Sequence, residues 1–215
     1  AKFHEHFFKK DLYGYPLSGK LKDIKQMTLE DLETYYHEDF MNNHIDIYVN
    51  GHLDLTEKAH IERELSFSKY RVLNVETSFK PMVKETLVFE KTTMNQALIK
   101  LGYVLPIYRR DPLYDAAVLF DIILGGYPDS MLFQEIREKR GLCYDVSSNY
   151  DGYKGVLLIS SGVDVSKKED AIDAIKTLIH DVSYDTITEA MLSYAKAFYV
   201  HQLKSSLDSQ STLTK

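Results

Sequence analysis

Residues 122–150 read IILGGYPDSMLFQEIREKRGLCYDVSSNY, and the order of signals within them decides the fold. An apolar helix end runs into Gly125-Gly126, a charged stretch follows as far as Gly141, and Cys143–Tyr150 has strand character. Asp129 or Ser130 stands at an N-cap position and Gly141 at the C′ position, with Glu138, Lys139 and Arg140 before it. Ser130–Arg140 is therefore expected to be a helix of about three turns. Phe133 and Arg137 then lie one turn apart on one face. Tyr144 falls on a strand just past the turn. An Arg and a Tyr flanking one tight turn suit gripping a peptide backbone or a developing oxyanion. The same spacing equally suits an ion pair of Arg137 with Asp145 and a Tyr144 packed beside Val146 and Tyr150.

Downstream of this stretch, Asp151-Gly152 and Gly155 mark a hairpin turn into a strand at Val156–Val163. Ser166 with Glu169 has capping-box spacing for a helix to about His180, and Thr186 with Glu189 for a longer one to about Leu207. Upstream, Asp111-Pro112 opens a helix carrying Leu113, Ala116, Ala117, Phe120 and Leu124 on one face. Before it come two expected strands, Thr86–Lys91 and Ala97–Val104. The order from 86 onward is β-β-α-α-β-β-α-α, an α+β sandwich with a mostly antiparallel sheet and helices on one side.

Residues 68–85 hold no sustained period, and the domain boundary is placed there, giving domains 1–75 and 76–215. In the first, Thr28 and Asp31 have capping-box spacing ahead of Leu29, Leu32, Tyr36 and Phe40, a helix ending near Phe40. His44–Asn50, HIDIYVN, alternates apolar and polar residues and is closed by Gly51, so a strand is expected. Asp54–Phe67 is an amphipathic helix. A lone strand cannot satisfy its backbone. Either part of that domain is missing, or the strand pairs with the second domain's sheet.

With 26 Lys and Arg against 32 Asp and Glu among 215 residues, the net charge of −6 is interspersed, which argues against a nucleic-acid surface. A single cysteine, Cys143, excludes an intrachain disulfide or a Cys-rich zinc site and fits a reducing cytoplasm. The N-terminal stretch has no signal-peptide core, and the most apolar run, Ala116–Leu124, is too short to span a bilayer and holds Asp121. The chain opens without Met amid polar residues, as a fragment would. His4-Glu5-His6 project in different directions from a helix, which makes joint metal ligation awkward. His37 suits a helix C-terminus. Cys143 reads as a structural thiol, and Gly125-Gly126 as a helix stop rather than a phosphate loop.

The stretch LGGYPDSMLFQEIREKRGLCYDVSS resembles the second domains of the M16 (insulinase/pitrilysin) zinc metallopeptidases, with their pattern LGGG-x-SS-x-LF-x-x-LREK-x-GL-x-Y-x-V-x-S. PLSGKLKDIKQMTLEDLETYYHEDFMNNHIDIYVNGHLD and NQALIKLGYVLP resemble two further family segments, in the right order. The resemblance covers about Asp11 to Lys215 and implies an M16-like fold. It implies the end of one M16 domain followed by most of a second that stops early. Family peptidases hold zinc with H-x-x-E-H and a distant Glu, the motif Glu serving as general base. None of the eight histidines here has that spacing. The resemblance therefore implies no zinc ligand or catalytic residue in this chain, with zinc belonging to another segment or a partner subunit.

By the same resemblance, Arg137 and Tyr144 match an Arg and a Tyr that reach from a zinc-free half toward bound peptide and help stabilise the tetrahedral intermediate, and Phe133 matches an aromatic of the same substrate-binding constellation. The expected partners are a peptide substrate and a zinc-bearing M16 domain or subunit, as a homodimer or domain-swapped dimer among other arrangements. The alternative is a non-catalytic assembly subunit that keeps the fold. The repeat relationship between M16 domains further suggests that Thr28–Gly51 completes the second domain's sheet, within one chain or by swapping.

Overall fold

In the computed structural model the described residues are all but 1, 10, 44, 66–87, 92–94, 183–185 and 209–215. They divide into two compact units, Pro81–Leu203 and Ala1–Lys80 with Lys204–Lys215.

The Pro81–Leu203 unit is built on three antiparallel strands, β1 (Gln96–Val104), β2 (Cys143–Asp151) and β3 (Val156–Asp164), in the order β1-β3-β2. The β2–β3 hairpin forms where Asp151-Gly152 and Gly155 foretold it. Asp151 Oδ1 accepts the backbone N–H groups of Tyr153 and Lys154, and Gly155 takes φ +62°, a conformation that costs a residue with Cβ. β3 is central, hydrogen-bonded on both edges, and its Val156, Ile159 and Val163 are fully buried.

Helix α5 (Tyr114–Asp121) continues into a π-helical turn, Ile122–Gly126, and a second π-helical segment spans Phe133–Lys139. Two long helices close the unit, α6 (Lys168–Val182) and α7 (Glu189–Ser206). Leu124, Leu132 and Ile136 from the π-helical region meet Val146, Leu157, Ile159 and Ile175 in one core. Each such buried side chain contributes about 2 kcal/mol by leaving water. The fold is the expected α+β layer, with helices gathered on the sheet face that carries Leu157 and Ile159.

Several local expectations are corrected. Ahead of α6, Asp164 caps a 3-10 turn, Val165–Lys167, its Oδ1 accepting both the N–H and the hydroxyl of Ser166, in place of the expected capping box of Ser166 with Glu169. α7 is capped by Thr188 Oγ1, which accepts from Met191 N–H, and not by Thr186. Asp111 Oδ1 accepts from Leu113 N–H in a turn that delays α5 to Tyr114. These Asp and Thr side chains win because a side-chain acceptor two or three residues ahead of a free N–H closes a small ring. Of the strand expected at Thr86–Lys91, residues 86–87 lie outside the described ones and 88–91 are irregular.

The Ala1–Lys80 unit contains α1 (Lys2–Phe7), α2 (Leu21–Gln26), α3 (Leu29–Thr34) with a π-helical extension Tyr35–Phe40, and α4 (Leu55–Glu64). α3 starts on the expected Thr28–Asp31 capping box, and α4 on a second one formed by Asp54 and Glu57. The strand expected at His44–Asn50 is not formed over residues 45–50, and His44 lies outside the described residues. Alternation specifies a surface able to pair, while pairing itself needs a neighbouring strand.

Candidate functional site

Gly141 ends the π-helical segment at φ +58°, its N–H donating to Arg137 O and Leu142 N–H to Ile136 O. Lys167 Nζ fastens the turn from outside by donating to Gly141 O at 2.9 Å. Ser130 stands at the helix start, its carbonyl accepting Gln134 N–H at 2.9 Å, but neither expected residue caps it with its side chain. Asp129 accepts from the Gln134 side chain, and Ser130 is wholly buried with no partner on its hydroxyl.

On this segment Glu135 binds both Lys139 and Arg140 at 3.0 Å, and those two bonds hold its carboxyl below the usual range. Arg137 is differently placed. Its guanidinium lies 4.6 Å from the centre of the Phe133 ring, and among the described residues its ion pairing is a 3.9 Å approach to Glu138. The ring fixes the guanidinium plane without consuming its donors. The ion pair with Asp145 allowed by the sequence does not form. Instead the Asp145 carboxylate lies against Gly162, where a Cβ would strike Oδ1.

Tyr144 is placed by a break in the sheet register. Cys143 pairs with Val163 and Asp145 with the next residue, Gly162, so Tyr144 is the extra residue of a β-bulge. The bulge changes the side-chain parity of β2. Without it, Cys143 and Val146 would face opposite sides; with it, both pack toward the helical core, and Tyr144 and Asp145 fall outside. Tyr144 is 56% exposed and does not pack into the core as Val146 does. Phe133 and Arg137 are thus brought together, and Arg137 is close enough to Cys143 to favour its thiolate, though burial dominates and pushes that thiol up. No hydrogen bond or ring contact joins Tyr144 to Phe133 or Arg137 among the described residues; the turn at Gly141 and the bulge are what place it near them in sequence and strand.

Behind this corner, α5 clamps the far half of β2. Asp121 accepts Tyr150 N–H on Oδ2 at 3.1 Å, its backbone carbonyl accepts the Ser148 hydroxyl at 3.0 Å, and a Cβ on Gly125 would collide with the Ser148 backbone nitrogen. Asp121 Oδ1 is buried without a partner. Burial raises the Asp121 pKa, against the pull of Ser148 and Tyr150. Gly125 is therefore required for close packing against β2. Sequence reading treated Asp121 only as a charge in an apolar run. The three-residue spacing of Cys143 and Val146 was the available sign of the bulge.

The histidines go elsewhere. His4 stacks on Phe8 with ring centres 5.7 Å apart, and His6 Nδ1 lies 2.9 Å from Lys2 O. At the end of the Tyr35–Phe40 segment, the Asn42 amide donates to the carbonyls of His37 and Glu38, taking the capping part expected of His37. No group of three or more His, Cys, Asp or Glu among the described residues could hold a metal ion.

Residues 26–199 match the family described as the peptidase M16 inactive domain. The chain belongs to the M16 peptidase family. Among curated relatives, it is 25% identical over 202 residues to a probable inactive metalloprotease, YmfF, of Bacillus subtilis, covering 93% of this chain and 47% of the relative. An uncharacterized zinc protease of the same organism, YmxG, is 27% identical over 197 residues, 90% of this chain and 46% of the relative. The chain thus spans slightly under half the length of these M16 relatives. The M16 inactive domain from Pseudomonas fluorescens superposes with a TM-score of 0.76 at 22% identity, covering 99% of this chain and 52% of that one, a likeness of fold. Among the described residues, no helix is long and apolar enough to cross a membrane.

Proposed function

We propose that this chain is the zinc-free half of an M16-type metallopeptidase and that Phe133, Arg137 and Tyr144 hold peptide substrate beside a zinc centre carried by the other half. The observation that carries this reading is the arrangement of Arg137. Its neighbours Lys139 and Arg140 are both engaged by Glu135, while Arg137 is oriented by the Phe133 ring, stays half-exposed and meets only Glu138, at 3.9 Å, among the described carboxylates. A guanidinium so held can donate hydrogen bonds to a peptide carbonyl oxygen and strengthen them as negative charge develops there. The bulged Tyr144 supplies a phenol on the same corner, in the kind of position where bulges re-aim functional side chains.

This chain supplies orientation and charge; the metal-activated water and its general base belong to the zinc-bearing half. One free cysteine suits a cytoplasmic setting. In the assembled protein, Arg137→Ala lowers kcat/KM for an unstructured peptide on the order of 10²-fold, the effect of removing one oxyanion donor, with zinc content unchanged. Unchanged hydrolysis would remove Arg137 from the site.

A second reading, an assembly module without activity, is favoured by the name of one relative, a probable inactive metalloprotease. Zinc analysis and peptide hydrolysis on the assembled protein separate the two.

A further inference from the structure

The core-facing side of β3 carries Leu157, Ile159, Ser161 and Val163, a hydroxyl in an otherwise apolar row, and Ser161 is 2% exposed. A hydroxyl buried there is costly unless its hydrogen bond is made. It is made to β2. Ser161 Oγ donates to the backbone carbonyl of Asp145 at 2.8 Å, and the Cys143 side chain interacts with the same hydroxyl. Cys143 and Asp145 are the residues on either side of the bulged Tyr144. The next residue of β3, Gly162, leaves the space in which the Asp145 carboxylate lies, since a Cβ there would stand 2.5 Å from its Oδ1. Ser161 and Gly162 thus meet the two ends of the bulge from the two faces of the sheet.

The competing arrangement of β2 is a regular strand. Counting back from Val146, which packs inside, a ladder without the bulge turns Tyr144 inward and Cys143 outward. The bulge therefore decides whether the Tyr144 phenol reaches the outer corner at all. Valine or alanine at 161 would fill the apolar row as well as serine does, but neither could bond the Asp145 carbonyl. We propose that Ser161 is a positioning residue for the peptide grip: its hydroxyl holds the bulge and so keeps Tyr144 on the outer side of β2. The effect on hydrolysis rests on the role of Tyr144 proposed above, whereas the state of the bulge is read without it.

In the full-length gene product Cys143 serves as the reporter, because loss of the bulge turns its thiol outward. Alkylation by iodoacetamide, followed by mass spectrometry of the peptide containing Cys143, is at least about tenfold faster in Ser161→Ala than in the parent. Ser148→Ala removes another buried hydroxyl of the same sheet, one that donates to Asp121 O, and leaves the alkylation rate unchanged. For an unstructured peptide, Ser161→Ala lowers kcat/KM by no more than Tyr144→Phe does and adds no further loss in a Tyr144→Phe background, as expected of a residue acting through that phenol. Parent-like alkylation in Ser161→Ala, an equal acceleration in Ser148→Ala, or a hydrolytic loss that adds in full to that of Tyr144→Phe overturns the inference. Parent-like hydrolysis by Tyr144→Phe overturns the grip instead, and the alkylation rates still decide whether Ser161 holds the bulge.

Discussion

The two units of this chain use similar residues to opposite effect. In Pro81–Leu203, Leu124, Leu132, Ile136, Ile159 and Ile175 are fully buried around one core. In Ala1–Lys80 the capping boxes are as well formed, yet Leu29, Leu32, Tyr36 and Phe40, the apolar stripe of a well-started helix, all remain exposed. Local signals suffice to begin a helix, but burial of its stripe requires an opposing layer. Among the described residues, the Ala1–Lys80 unit has helices and no strand, whereas the Pro81–Leu203 unit has both.

That contrast is broken or sharpened most strongly by core truncation. Ile159→Ala is expected to cost about 4 kcal/mol in urea unfolding, whereas Leu32→Ala costs less than about 0.5 kcal/mol in this chain. Comparable losses at the two positions would erase the distinction. Gly125→Ala comes next, at about 3 kcal/mol, because the new methyl meets the Ser148 backbone rather than a flexible side chain.

Asp121→Asn tests the clamp through its pH dependence. The folded-state pKa of Asp121 is raised by burial, so its stabilising form is the protonated one. That contribution is present below the ordinary carboxylate pKa and is lost as pH rises through the higher folded value. The stability of the parent chain relative to Asp121→Asn therefore improves as pH falls below neutral; a constant difference would remove the buried carboxyl from the account. The smallest effect is that of Thr28→Ala, about 1 kcal/mol on α3 alone, seen as faster amide exchange at residues 29–34 with the urea transition of the Pro81–Leu203 unit unmoved.

What was legible in the sequence follows the same division. The hairpin at Asp151–Gly155, the stop at Gly141 and the long helices α6 and α7 depend on neighbours close in sequence, and turn chemistry and periodicity expose them. The caps at Asp164 and Thr188 were misplaced by two residues because several Ser, Thr and Asp side chains competed for the same N–H groups. Residues 45–50 have strand alternation but no strand, since pairing is a tertiary event.

At the candidate site, the Phe133–Arg137 pairing was visible as a helical interval. The bulge at Tyr144 left only the three-residue spacing of Cys143 and Val146 as its sign, because it arises from β3 imposing register on β2. Not visible was the withdrawal of Lys139 and Arg140 by Glu135, which singles out Arg137 by geometry.

The most direct test of the peptide grip is a double-mutant cycle on the assembled full-length protein, measuring kcat/KM for an unstructured peptide with Arg137→Ala, Tyr144→Phe and both. If the two side chains hold the same substrate group, the double variant loses less than the sum of the single losses, with a coupling of about 1 kcal/mol or more. Full activity in the single variants, or losses that add without coupling, would contradict a shared site at this corner.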